Sequence, residues 1–282
     1  MVYMEQNIGN KNRSAWIWLF LSLETVFYLA FLWMDVFEPG LFRYSKALKF
    51  AGILLCFLAA AAGASGPVIR KERTESGIRT AASPETLTAS ALLLTVFADF
   101  CLLLKEFYLT GLLLFIAVQA LYCYRLYLTA GFRLWIYILA FAGALALVAA
   151  GGRGITFMMA AAVVYTAGIT GNAVTGAVYL AGRGLHEKKS FFFCTGLVLF
   201  FLCDMNVALF NINEGAAAGT AAAAVYEISA VAMWFFYLPS QVLIALSAAL
   251  PGENRPGSKQ TRQQTDQAAG CPDNRLTGQQ TE

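Results

Sequence analysis

Two aspartates interrupt long apolar runs: Asp99 in LLTVFADFCLLL (93–104) and Asp204 in LVLFFLCDMNVALF (197–210). A charge at the centre of a membrane helix costs roughly 2.5–3.5 kcal/mol on insertion scales. Ionisable groups at that depth are functional by default, the competing reading being a pair of structural hydrogen-bonding carboxylates. Two carboxyls held in different surroundings can divide the work of acid and base. Asp99 is flanked by Phe97, Ala98 and Phe100, whereas Asp204 has Cys203 and Asn206 beside it. That contrast assigns the acid to Asp99 and the carboxylate to Asp204.

Further polar groups could join them. Gly111, Phe115, Gln119 and Tyr122 recur at helical spacing along one stripe. Glu227, Trp234 and Gln241 follow a heptad, with Tyr237 close by and Pro239 between. The proline removes an amide donor and frees a carbonyl, which must be satisfied inside the protein. The candidate substrate contacts are therefore Gln119, Tyr122, Asn206, Tyr237 and Gln241. For the two glutamines, helix–helix hydrogen bonding and a site role both stand open, and packing is the better reading of the aromatics. Glu24, Tyr28 and Asp35 share one face of the first apolar run, and Glu24 has no obvious cationic partner.

Other chemistries find no residues. The single histidine, His186, sits in the basic stretch GRGLHEKK, so neither a zinc site built on imidazoles nor a serine–histidine pair is available in the apolar runs. Any hydrolysis must run on carboxylates, without metal or cofactor. The 6 cysteines have no CxxC spacing, and they read as small hydrophobes. GGRG (151–154) reads as a turn, since no strand precedes it and no Lys-Ser/Thr follows.

The elements that must carry these residues are membrane helices. Hydrophobic residues make up 59% of the 282 and charged ones only 13%. A span needs about 20 mainly apolar residues, and eight such runs occur, near 15–37, 47–69, 86–104, 107–128, 132–150, 154–182, 190–211 and 222–250. The expectation is an all-α, polytopic bundle of eight spans (15–250), with a short segment 1–14 before it. The polar, Gln/Thr-rich stretch 251–282 reads as a disordered cytoplasmic tail. Counting each basic residue with the loop or terminus it adjoins, fifteen of the 20 Lys/Arg fall on one side of the membrane. The positive-inside rule then puts both termini in the cytoplasm. A net charge of +3 gives no reason to expect a nucleic-acid partner. Gly168, Asn172 and Gly176 lie four apart, a small-residue stripe for close packing. Asp99 and Asp204 fall at like depths in the third and seventh spans, which suggests two parallel four-helix halves. Oligomeric state is not readable.

Four local patterns together resemble the YhhN family of membrane proteins, whose characterised animal members are lysoplasmalogenases. FADFCLLL is similar to that family's small-Asp-x-x-Leu-Leu signature, with Ala98 where glycine is usual. GLLLFIAVQALY (111–122) is similar to Gly-x3-Phe-x3-His-x2-Tyr, with Gln119 in place of histidine. GLVLFFLCD (196–204) is similar to Gly-x2-Leu-Phe-x2-Ser-Asp, with Cys203 in place of serine. FYLPSQVLIALS (236–247) looks like the terminal Tyr-x3-Gln-x-Leu-Ile-Ala, and SKALKF (45–50) like a degraded Lys-Pro motif. The resemblance runs from the second span to the eighth. It implies a metal-independent hydrolase of lysophospholipid vinyl ethers that acts within bilayer lipid and releases a fatty aldehyde. A rival of another class is a proton-coupled carrier or lipid-binding membrane protein using the same aspartates.

Overall fold

The computed structural model describes residues 2–64, 69–74, 77–131, 133–151, 156–183 and 187–250. His186, most of GGRG and the tail lie outside the described residues. Eight helices follow in order: α1 (Val2–Phe37), α2 (Phe42–Gly63), α3 (Pro84–Leu103), α4 (Tyr108–Ala130), α5 (Leu134–Ala150), α6 (Phe157–Arg183), α7 (Lys188–Ile212) and α8 (Ala221–Ala249). Seven are long and apolar enough to cross a membrane. The exception, α5, has 17 residues, about 25 Å at the helical rise against a hydrocarbon core of about 30 Å. Large apolar side chains cover the outside, including Trp33, Leu139 and Ile212. Such a surface suits lipid and not water. The chain is an integral, multi-pass membrane protein of mostly helical fold.

Three places differ from the sequence expectation, and the first is the segment 1–14, which from Val2 onward is part of α1. The second apolar run reads as a span to residue 69, yet α2 stops at Gly63. The basic stretch after it, expected as a loop, holds an antiparallel hairpin, β1 (Ile69–Thr74) with β2 (Gly77–Ala82), in register Ile69 to Ala82. Hydropathy continues through Ala64 to Val68, so it cannot mark where the helix ends. α3 opens two residues ahead of the apolar run: the Ser83 side chain accepts the Thr86 N–H at 3.1 Å and Pro84 begins the helix, an N-cap followed by a proline that has no amide to leave unpaired.

Packing uses small residues where backbones must approach. A side chain at Gly196 of α7 would meet Ile244 at 2.6 Å and the Ser240 carbonyl at 2.9 Å on α8. On α6, Gly168 leaves 3.1 Å to Gln119 of α4, and Gly176 faces Cys194 of α7. The expected small-residue stripe is thus the seam on which α6 meets α4 and α7. Asn172, midway along it, donates to both the Gln119 carbonyl and Oε1 at 2.9 Å. Consecutive helices pack against one another at α1–α2, α2–α3, α3–α4, α5–α6, α6–α7 and α7–α8. In addition α2 packs on α8, and α6 on α4. Short connections make sequential neighbours antiparallel, so the bundle has an α1–α2 end and an α2–α3 end.

Two basic residues counted with loops are inside. Arg125 of α4 is 5% exposed at the α2–α3 end, where it donates to Thr88 of α3 and, at 2.8 Å, to Ser247 of α8. Its guanidinium lies 3.7 Å over the Phe193 ring of α7. Lys49 of α2 is 4% exposed, near the other end. One comes off each side of the count, so the asymmetry of basic residues stands.

Candidate functional site

Both aspartates lie in the half of the bundle nearer the α1–α2 end. Asp99 is about one turn from the end of α3, and Asp204 about two turns from the end of α7. Each is half-buried, with exposed Phe97 and Phe100 beside the first and Leu202 and Met205 beside the second. Asp99 and Asp204 lie within electrostatic reach of one another.

Each carboxyl is held by a tyrosine from another helix. The Tyr237 hydroxyl of α8 donates toward Asp99, 2.9 Å from Oδ1 and 2.7 Å from Oδ2. The Tyr165 hydroxyl of α6 donates to Asp204 Oδ2. Oδ1 of Asp204 takes no hydrogen bond among the described residues. An aromatic row joins the two hydroxyl bearers: Tyr165 to Phe115 at 6.0 Å between ring centroids, Phe115 to Phe200 at 6.0 Å, Phe200 to Tyr237 at 5.7 Å. Edge-to-face and tilted contacts at this spacing contribute about 0.5–1.5 kcal/mol each beyond area burial, and they fix where the hydroxyls point.

On the Asp99 side the row continues. Tyr237 meets Trp234 edge-on at 5.6 Å, and Trp234 meets Phe31 of α1. The Lys49 ammonium sits 4.1 Å from the Trp234 centroid and is paired with Asp35 at 2.6 Å, where Ser45 also donates. Pro239 belongs to this region too. It stands inside α8 without breaking it, and the carbonyl four residues back, that of Phe235, accepts the Tyr28 hydroxyl at 3.1 Å. The need for a partner was readable from the proline; that Tyr28 of α1 supplies it was not.

The remaining sequence candidates divide. Tyr237 belongs to the site. Gln119 is tied to Asn172, with its Nε2 unpartnered. Asn206 donates to the Leu202 carbonyl of its own helix at 2.8 Å, Glu227 is exposed, and neither is brought to the carboxyls. The polar flank expected of Asp204 from Asn206 is therefore supplied by Tyr165 instead. A serine, threonine or asparagine one turn from its own carbonyl commonly spends its donor there. Tyr122 and Gln241 are fully buried one layer deeper. Sequence reasoning missed Tyr165, Lys49 and Arg125. An aromatic inside a span carries no signal of its own, and Lys49 and Arg125 stand close enough to helix ends to be read as loop charges.

No family model, no curated protein and no solved structure matches the chain.

Proposed function

We propose that the protein is an integral-membrane hydrolase of lysophospholipid vinyl ethers, similar in chemistry to lysoplasmalogenases, working on Asp99 and Asp204 without a metal. The observation that carries this reading is the convergence of two carboxyls from α3 and α7 at one depth, each with its own tyrosine hydroxyl. Asp99, protonated, gives its proton to the alkene carbon remote from the ether oxygen, and an oxocarbenium ion forms. Tyr237 donates to the carboxylate left behind. Water adds to the cation, and its proton passes to Asp204 Oδ1, the oxygen with no hydrogen bond. The resulting hemiacetal collapses as Asp99 takes back the hydroxyl proton and Asp204 protonates the departing glycerol oxygen. Aldehyde and glycerophospho-alcohol leave, and both carboxyls return to their starting states. Glycosidases split the same labour between two carboxyls around an oxocarbenium-like transition state.

The further elements of the proposal are eight spans, two parallel four-helix halves and cytoplasmic termini. Support for the halves comes from SALLLTVFAD (90–99) and TGLVLFFLCD (195–204), which align without a gap. In both the residues one, four, seven and eight before the aspartate are buried. α2 also packs on α8 as α6 packs on α4. A reporter at residue 282 should register as cytoplasmic and one near Glu214 as external; both on one side would defeat the eight-span reading.

The functional test is aldehyde release from purified protein in detergent, offered a panel of vinyl-ether and acyl lysolipids. Aldehyde from the vinyl ethers alone is the expected result. A carrier gives none and needs a sealed vesicle with a gradient, so a barren detergent assay with proton-driven uptake in vesicles would replace this reading.

A further inference from the structure

One helical turn deeper than the two aspartates lies a polar layer that the hydrolase reading does not use. Thr95 is four residues before Asp99 on α3, and Gln241 four after Tyr237 on α8. The two helices run oppositely, so both steps lead toward the α2–α3 end. Cys56 of α2 donates to Glu24 Oε1 of α1 at 3.4 Å, and Gly52, one turn earlier on α2, faces both Glu24 and Leu238 of α8. The Tyr122 hydroxyl of α4 lies beside Thr95 and Cys56, yet among the described residues no group stands in good hydrogen-bond geometry to it; the Thr95 hydroxyl donates to the Ala91 carbonyl and so has no proton to offer the Tyr122 oxygen. Three oxygens of this layer have no hydrogen-bond partner among the described residues: Glu24 Oε2, Tyr122 Oη and Gln241 Oε1. Their residues are 3%, 0% and 0% exposed.

A buried polar atom left unpaired costs about 1–3 kcal/mol, and more for a carboxyl. Three together, one from each of three helices, are beyond what folded interiors commonly leave unresolved. Glycine at position 52 belongs to the same arrangement: a side chain there would come within 3.1 Å of Glu24 Oε2, so its absence is what admits the carboxyl. Ordered water is the ligand whose chemistry fits. It both donates and accepts, it takes two to four partners, and it is the usual means of satisfying such groups. A cation fits less well, since Glu24 is the only carboxyl in the layer.

We propose that Glu24, Tyr122 and Gln241 bind internal water beneath the carboxyl pair, a built hydration site inside the apolar bundle. The site does not depend on the hydrolase reading. If that reading holds, the same water is the near reservoir for the molecule each turnover consumes, one turn from Asp99.

Radiolytic hydroxyl labelling in heavy-oxygen water tests this, because bound water is split where it sits and oxidises the side chains against it. Cys56 and Cys194 are the same residue type, both free and both buried, and Cys194 packs against Gly176 outside the layer. Cys56 should label at least several-fold faster than Cys194, and Tyr122 should label despite full burial. Equal rates at the two cysteines, with Tyr122 untouched, would mean a dry layer and overturn the proposal. In Glu24→Leu the excess labelling should vanish; its persistence would remove Glu24 as the anchor. Should that variant fail to fold, the two cysteines of the unaltered protein still decide the question. Aldehyde release is measured on the same sample. Its failure with Cys56 labelled rejects the hydrolase reading and leaves the water site.

Discussion

Asp99 and Asp204 end two similar stretches of helix, yet the protein surrounds them differently. Ala91 with Gly196, Leu92 with Leu197, Thr95 with Phe200 and Ala98 with Cys203 are buried at matching positions, while Phe97 and Leu202 face outward. Depth and direction of the carboxyls are thus common to both. Their partners are not. Asp99 is served by α8, through a tyrosine braced by Trp234, Phe31 and the Lys49–Asp35 pair. Asp204 is served by α6, through a tyrosine that rests on Phe115 and reaches no cation. Helix pattern sets where a carboxyl goes, and the neighbouring helices set what it does there.

The comparison breaks most sharply if either aspartate proves dispensable. Asn retains size and much of the hydrogen bonding, so Asp99→Asn and Asp204→Asn should fold while aldehyde release falls about 10²–10⁴-fold in each. The double variant should be little worse than the poorer single, since residues acting as a unit are non-additive. An active single variant in the same detergent preparation would end the two-carboxylate mechanism.

Next comes the brace that only the Asp99 side possesses. Lys49→Met leaves Asp35 as a buried anion without its cation, a change that costs about 3–5 kcal/mol in other proteins. Thermal unfolding in detergent should show a large loss, mostly recovered in Lys49→Met/Asp35→Leu. Unchanged stability in the single variant would make the pair incidental to how α1 and α2 hold Trp234.

The two tyrosines separate the roles. If Asp99 is the acid, it gains charge on the way to the transition state and the Tyr237 bond strengthens. Asp204 loses charge as it accepts a proton, and the Tyr165 bond weakens. Only interactions stronger in the transition state accelerate the step. Tyr237→Phe should therefore lower kcat by the worth of a hydrogen bond to a charged group, about 1.5–3 kcal/mol, and Tyr165→Phe should lower it much less. The reverse order would exchange acid and base.

Much of this was legible beforehand. A lone aspartate in an apolar run needs no partner to be noticed, and Gln241 stood out on a heptad with Glu227 and Trp234, with Tyr237 close by. The small-residue stripe on α6 was visible. What escaped depends on contacts distant in sequence. Tyr165 reaches Asp204 only because α6 lies against α7, and the Asn206 amide turns back to Leu202. Hydropathy could not mark the end of α2 at Gly63 or the hairpin from Ile69, since alternation over six residues is weak beside a run of charge. Lys49 and Arg125 were visible as charges, but a few residues inside a helix end a sequence does not distinguish snorkelling from burial.

The smallest effect is expected where the equivalent helices are tied directly. Glu85 in the first turn of α3 and Lys189 in the first turn of α7 form an ion pair at 2.6 Å, joining the starts of the two stretches that carry the aspartates. The side chains are 27% and 21% exposed, so screening keeps the pair near the range for surface bridges, about 0–1 kcal/mol. The helix ends make the partners unequal. A carboxylate at a helix N-terminus is favoured by the unpaired amides there and an ammonium is disfavoured, each by about 0.3–1 kcal/mol. Lys189→Ala loses the bridge but relieves an ammonium from the wrong end of α7, so its stability should stay close to that of the unaltered protein. Glu85→Ala loses the bridge and the favourable carboxylate together, and should be the less stable of the two. If Lys189→Ala were instead as damaging as Lys49→Met, the halves would be held together at their rim, and the interior contacts of Asp99 and Asp204 would not be what orders the site.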